Sequence, residues 1–335
     1  MRKLFLHAGL LASCFLTQNL IFGSAQCEAQ EQKVILVVGA PGEEEYGKRF
    51  DAWADNWQKA IEAPDENAES KIELVRIGSE KKEPTDFELL KSAIESTKDP
   101  TRELWVVLIG HGTDDRKISK FNLRGPDVSA KELNEWMNEL ACRVVVINAA
   151  SSSGGFVPKL RHPNRIVVTA TKSPAQRNFA RFGQYLSESI SDPAYDLDKD
   201  QQTSLLEAFI AASSQTQDFY VQDARLATEL AVIDDNGDGA GTPGDWYKGT
   251  RVVKKAKKGT PDGVLANQVF LTRRGMEANL SEAARAERDG LEVKLESLRS
   301  RKEAMTEEAY FSAIEPILVD LAKVYETVMS EQTKE

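Results

Sequence analysis

Residues 34–38 (VILVV) form an unbroken aliphatic run, the pattern of a strand buried on both faces. Phe50, Trp53, Trp57 and Ile61 follow at helical spacing. The alternation then repeats. Residues 72–77 read as a strand, 87–94 as a helix, 104–109 as a strand, 133–140 as a helix, 144–147 as a fourth strand and 166–169 as a fifth. Strands that alternate with helices predict an α/β fold whose mostly parallel sheet has helices on both faces. In such sheets the chemistry collects in loops at the carboxyl ends of the strands. Two of those loops stand out: Gly110-His111-Gly112-Thr113 after the third strand, and residues 148–156 (NAASSSGGF) after the fourth.

Beyond residue 195 the pattern changes. Two acidic, loop-like segments flank a helical stretch over 204–230, and residues 246–275 look irregular, with a basic run over 251–258. From residue 277 the chain is charged and helical. Leu291, Leu295, Leu298 and Met305 make one apolar stripe; Tyr310, Ile314, Leu318, Leu321 and Tyr325 make another, with Pro316 inside it. The division expected is an α/β domain over 33–195, a helical and irregular extension over 196–275, and a helical hairpin or coiled-coil-like tail over 277–335. The tail reads as a hairpin that packs on the domain or on a second copy, a route to an oligomer or a scaffold.

The amino terminus carries an export signal. Arg2 and Lys3 precede a mostly apolar stretch over 4–22, broken by His7, Thr17, Gln18 and Asn19, and Gly23-Ser24-Ala25 supplies small residues for cleavage after Ala25. The polar interruption leaves no apolar run of about 20 residues, so no transmembrane anchor is expected. Leu11-Ala12-Ser13-Cys14 also has the form of a lipobox, which would leave Cys14 as a lipid anchor. The expected location is periplasmic or extracellular. About 310 residues remain after the leader, enough for a full core and an appendage. A net charge of −10 argues against nucleic acid and anionic membranes as partners. Cys27 and Cys142 offer no disulfide framework, and Cys142 heads an apolar run as a small hydrophobe.

His111, bracketed by two glycines after a buried strand, is placed to act. With Ser151-Ser152-Ser153-Gly154-Gly155 after the next strand, the chain resembles the caspase and legumain clan of cysteine peptidases. There His-Gly ends one strand, and the next ends in a pattern like Asp-Ala-Cys-x-Ser-Gly-Gly. Ser153-Gly154-Gly155 falls on the Ser-Gly-Gly, Ser151 on the cysteine and Ala149 on the first position, with Asn148 one place earlier. The resemblance covers roughly residues 33–195. The whole chain also resembles a group of bacterial exported proteins that share the stretch at 120–127 (KFNLRGPD) and a helical tail. The clan resemblance implies a caspase-like sandwich, with His111 as base, Ser151 as nucleophile, and the N–H groups of Gly112 and Ser151 as oxyanion donors. Serine departs from the clan. A cysteine thiol near pKa 8.5 becomes a thiolate beside a histidine. A hydroxyl needs a base whose imidazolium is itself stabilised, and Asp114, Asp115 and Asp127 are candidates for that third group. Three readings stay open: a degenerate peptidase homologue that binds peptide or protein partners, a Ser151–His111 hydrolase, and a scaffold acting through its tail.

The acidic segments suggest calcium. Asp196, Asp198 and Asp200 take positions one, three and five of a calcium loop, Ser204 position nine and Glu207 position twelve, with Gln201 where the turn favours glycine. Asp234, Asn236 and Asp238 repeat the spacing, with Gly239 at six and the shorter Asp245 at twelve. The alternative is acidic surface turns. Gly39-Ala40-Pro41-Gly42 superficially suggests a phosphate loop, but Glu43-Glu44-Glu45 follows. It reads as a strand-to-helix turn with carboxylates at a helix start.

Overall fold

The computed structural model describes residues 32–62, 72–78, 83–254, 261–274 and 278–332. The residues expected to form a leader, with Cys14, and also Cys27 and the end of the basic run, 255–258, lie outside them. The chain opens with β1 (Gln32–Val38), α1 (Glu44–Glu62), β2 (Ile72–Ile77), α2 (Asp86–Glu95) and β3 (Glu103–Ile109). Short strands β4 (Gly112–Asp114), β5 (Ser119–Phe121) and β6 (Val128–Ser129) lead into α3 (Ala130–Met137), β7 (Val144–Asn148), α4 (Val157–Leu160) and β8 (Arg165–Thr169). Then come α5 (Phe182–Ser189), α6 (Leu205–Gln222), β9 (Val232–Asp234) and β10 (Thr242–Pro243). A small hairpin of β11 (Tyr247–Lys248) and β12 (Arg251–Val252) precedes α7 (Glu282–Ser300) and α8 (Glu307–Gln332).

The main sheet runs β10-β9-β8-β7-β3-β1-β2. Its five strands from β2 to β8 are parallel, and β9 and β10 close one edge antiparallel. Alternate residues of a strand point to opposite faces, and the core divides accordingly. Val34, Leu36, Trp105 and Val107 pack with Phe50, Trp53, Trp57, Phe182 and Phe209 from α1, α5 and α6. Ile35, Val37, Val106 and Leu108 pack with Leu90, Ile94, Leu133 and Leu160 from α2, α3 and α4. This is the layered α/β architecture, mostly parallel and covered on both faces, that the resemblance implies. Three helices begin on capping boxes, Thr85/Glu88, Ser129/Glu132 and Ser204/Glu207, each closing two backbone groups that the helix start leaves open.

The core does not stop at residue 195. Leu205, Phe209, Ile233, Val269 and Leu271 belong to the same buried cluster as the strands, Leu205 N donates to the Val269 carbonyl at 2.8 Å, and β9 pairs with β8. The expected extension therefore completes the sheet. β9 spans only three residues, too short for periodicity to reveal, and the helix expected over 204–230 ends at Gln222. The tail matches its stripes more closely. Leu291, Leu295 and Leu298 are buried, Leu280, Leu291 and Val324 form a small cluster, and Pro316 lies inside α8. Phe311, Leu318 and Val319 stay exposed. No helix among the described residues is long and apolar enough to cross a membrane.

Leu36 is fully buried and Leu318 is 45% exposed. Leu36→Ala should lower unfolding free energy by about 2–5 kcal/mol, and Leu318→Ala should change it by less than about 0.5 kcal/mol. Denaturant midpoints of the two variants check the contrast.

Candidate functional site

The site begins with strand pairing. β3 and β7 run parallel with Leu108 opposite Asn148, and Ala149 N donates to the Leu108 carbonyl at 2.9 Å. The two loops singled out in the sequence therefore leave the sheet from adjacent strand ends. In a parallel sheet covered on both faces, ligand crevices form outside the carboxyl ends of the strands.

His111 stands half-buried in an aromatic setting. The Tyr46 and Phe50 rings each meet it edge-on at 5.0 Å, and Phe179 lies 6.3 Å away. Its Nε2 is 3.2 Å from the Pro41 carbonyl oxygen. A carbonyl only accepts, so Nε2 carries the proton and a neutral ring keeps Nδ1 as its basic nitrogen. The group behind the imidazole is thus a backbone carbonyl. Asp114 spends its carboxylate on Arg116 N and Ser119 Oγ, Asp115 on Lys117 N and Ile118 N, and Asp127 on Leu123 N. Among the described residues none of these three carboxylates bonds His111. The backbone of Asn122 fixes the partners: its N–H donates to the His111 carbonyl at 3.0 Å, and its carbonyl accepts from Ala40 N at 2.9 Å. The stretch 120–127 thereby ties the Pro41 turn to the histidine loop.

Ser151 meets Gly112. Gly112 N is 3.4 Å from Ser151 Oγ, and the hydroxyl donates to the Gly112 carbonyl at 3.3 Å. Among the described residues no hydrogen bond joins Ser151 to His111. The approach requires glycine, since a Cβ at Gly112 would lie 2.3 Å from the Ser151 carbonyl oxygen. Ser151 is 5% exposed. The chain turns at Ser152, whose φ of 55° is left-handed, and a single 3-10 turn, Ser153–Gly155, follows. Ser152 N donates to the Gln176 carbonyl at 2.8 Å, and Gly154 N to Thr171 Oγ1 at 2.9 Å. The Ser152 hydroxyl and Asn148 Nδ2 are buried without hydrogen-bond partners. Backbone strain and unmet polar groups are concentrated beside Ser151.

A cavity of about 380 Å³ adjoins the histidine through Tyr46 and Phe179. Arg49, Arg181 and Arg225 line it with Phe219, Tyr220 and Leu226, and Glu45 is the acidic lining residue. The Arg181 guanidinium stacks on Phe219, 3.9 Å from the ring centroid, while Arg49 pairs with Glu45 at 2.6 Å. Buried Glu229 braces the wall, accepting from Phe182 N at 3.0 Å and from Arg181 N and Tyr220 Oη at 2.9 Å. Sequence reasoning missed this cavity. Its residues come from three separated stretches, and each resembles an ordinary surface arginine or core aromatic.

In the first acidic loop Asp196, Asp198 and Glu207 bring one carboxylate oxygen each within 4.8 Å of one another. Glu207 also accepts from Leu197 N at 2.6 Å and Ser204 N at 2.8 Å. Asp200 turns to Gln202, and the Ser204 hydroxyl to Glu207 and Asn267. Three of the five residues expected as ligands therefore converge. Burial first, then the Asp198 charge, pushes Asp200 up to about 6, and burial pushes Glu207 up to about 7. In the second loop Asp234 accepts from Gly237 N and Gly239 N, Asn236 from Asp238 N, and Asp238 from Ala240 N. These oxygens hold their own turn.

Beside that loop Asp235 and Asp262 are both 2% exposed. Asp262 accepts from Asp235 N at 3.1 Å and from Thr242 Oγ1 at 2.7 Å. Burial, and next the charge of Asp235, push Asp262 up to about 8, and burial raises Asp235 as well. Unfolded carboxyls titrate near 4, so between about pH 4 and 8 the folded pair retains a proton that the unfolded chain releases. Its stability contribution is full below pH 4 and is lost as pH rises to 8, at up to roughly 1.4 kcal/mol per pH unit. Asp262→Asn, which removes the charge and keeps an acceptor, should flatten that slope. Urea unfolding at pH 5, 6.5 and 8 measures it; an equal slope in variant and parent would rule out the pair as its source.

No family model matches the chain, and no curated protein sequence is similar to it. Among solved structures it is similar to the crystal structure of the Drosophila initiator caspase Dronc. The sequence identity is 13% and the TM-score 0.38, over 71% of this chain and 95% of that one. What the site can do follows from the residues of this chain.

Proposed function

We propose that this protein is exported and binds an extended peptide or protein segment at the carboxyl ends of β3 and β7 without cleaving it. The observation that carries this reading is the state of Ser151. Its hydroxyl is spent on both backbone groups of Gly112 and is nearly sealed from solvent. A nucleophile needs the opposite, an open approach and a base within hydrogen-bond reach. The Gly112 N–H, an oxyanion donor in the clan the sequence resembles, faces that same hydroxyl. Binding needs neither nucleophile nor base. It needs a concave surface with a few directed polar groups, and the cavity beside His111 supplies one. Three arginines and four aromatic rings favour a segment that carries an acidic side chain, since guanidiniums grip carboxylates and aromatic faces hold the adjoining chain. The leader over 1–25 supports a periplasmic or extracellular place for this encounter.

One observation favours the rival reading, hydrolysis through Ser151 and His111. The Pro41 carbonyl fixes the ring with Nδ1 as its basic nitrogen, a tautomer a general base could use. A mixed peptide library separates the two. Acidic peptides should be retained intact by the parent protein, retained equally by Ser151→Ala, and bound roughly tenfold more weakly by Arg181→Met, which loses a charged partner. Cleavage read by mass spectrometry in the parent and lost in Ser151→Ala would establish the hydrolase instead.

The first acidic loop adds a calcium site to this proposal. Asp196, Asp198 and Glu207 present hard oxygen donors close together, the ligand type that suits calcium. The ion would bring them positive charge and tie the 196–207 loop to α6. Asp198 is exposed, and among the described residues its carboxylate accepts a hydrogen bond from Asn267 Nδ2 alone, at 3.3 Å, so Asp198→Asn tests the site without touching the core. Millimolar calcium should give a saturable calorimetric signal with the parent and a much weaker one with the variant. A flat titration of the parent would sink the idea.

A further inference from the structure

Behind the arginine cavity, one carboxylate ties two of its walls together without entering it. Glu229 is 4% exposed and does not line the cavity. Both of its oxygens accept from Arg181 N at 2.9 Å, Oε2 accepts from Phe182 N at 3.0 Å, and Oε1 accepts from Tyr220 Oη at 2.9 Å. The phenol has one proton and gives it to Glu229, so the Thr228 hydroxyl, 3.0 Å away, donates to the phenol oxygen. Arg181, Tyr220 and Thr228 all line the cavity.

The start of α5 explains why a carboxylate sits there. Arg181 precedes the helix and offers it no side-chain cap, while the first N–H groups of a helix have no partner inside it. Glu229 supplies the acceptor from across the fold, and its charge suits the positive end of the helix. The same turn is fixed on its other side, since a Cβ at Gly183 would lie 2.7 Å from Ala149 Cβ and 3.1 Å from the Trp53 ring. The Arg181 guanidinium leaves this held backbone and stacks 3.9 Å from the Phe219 centroid. Phe219 in turn meets the Tyr220 ring edge-on, with centroids 5.3 Å apart. Glu229 therefore grips the backbone of the cation and the neighbour of the ring on which that cation lies.

We propose that Glu229 is a positioning residue for acidic ligands, holding the Arg181 guanidinium against Phe219 while touching no ligand itself. The inference rests on the reading of this cavity as the place where an acidic segment binds. Because Glu229 bonds the Arg181 backbone N–H, it orders the arginine without occupying the guanidinium donors, which stay available to a carboxylate. Pre-ordering a long, rotamer-rich side chain lowers the cost of binding.

A double-mutant cycle tests this, with a labelled alanine pentapeptide carrying one central glutamate as the probe and fluorescence anisotropy as the readout. Glu229→Gln keeps the size of the side chain but presents an amide NH2 to groups that can only donate, so it should weaken binding about tenfold. In an Arg181→Met background the same change should cost less than about twofold. Equal losses in both backgrounds, or no loss in either, would overturn the proposal, because a role in stability alone produces no such coupling. A second measurement needs no ligand. Phenylglyoxal modification, mapped by mass spectrometry, should reach Arg181 several-fold faster in Glu229→Gln than in the parent, with Arg49 as the unchanged standard. If the parent binds no acidic peptide, the reading of the cavity fails, and the Arg181 rate decides the positioning role by itself; an unchanged rate overturns it. Glu229→Asp, which keeps the charge on a shorter stem, goes through both assays. If neither variant folds, Glu229 serves stability alone and the proposal falls.

Discussion

The parallel pairing of β3 with β7 is the contact on which the candidate site depends. It sets Leu108 against Asn148, and every later relation follows from that register. A slip of one residue would turn the strand faces over and expose the alternating core of both strands. Because the pairing is buried between two layers of helices, the register is fixed by the whole core. The loops then emerge side by side, and glycine at 112 lets their backbones close to a distance that no other residue would permit. The turn at Ser152, left-handed and with an unmet hydroxyl, is held by that frame.

Around this centre the chemistry has two halves that do not meet. His111 is oriented by the Pro41 carbonyl and boxed by aromatic rings, with the Asn122 backbone tying the two loops. Ser151 is held by Gly112. A thiolate needs little persuasion to leave such a contact, since a thiol is a poor hydrogen-bond donor and ionises readily. A hydroxyl satisfied on both sides has much more to lose. A serine hydroxyl at this position is also far less acidic than a thiol.

Charge is arranged as unevenly as chemistry. The chain carries a net −10, yet its most confined charges include cations, at Arg165, Arg273 and Arg288. Arg165 is met by the Asn134 side chain and the Leu160 carbonyl, each at 2.8 Å. Arg273 is not met in that way. Buried carboxylates show the same contrast. Glu229 accepts from two backbone N–H groups and a phenol, which makes it a brace, whereas burial raises both Asp235 and Asp262, so that the pair holds a proton an exposed carboxyl would release. A buried polar group that is fully met rigidifies the fold, and one that is not met makes the fold responsive to pH.

The sequence by itself determined the strands and their faces. A run such as 34–38 has no polar position, so it can only lie between two apolar layers, and helical spacing at Phe50, Trp53 and Trp57 supplies one of them. Strand ends marked by Gly-His-Gly and by serine and glycine were equally legible, because tight turns demand small residues wherever they occur. The limit of the core at residue 271 was not legible, since β9 and β10 are too short to carry a period and take their place only by pairing. Nor was the partner of His111, a carbonyl that any residue could have offered, or the arginine cavity assembled from three stretches. Tertiary structure alone decided these, because backbone groups and scattered side chains become a site only when the chain brings them to the same point in space.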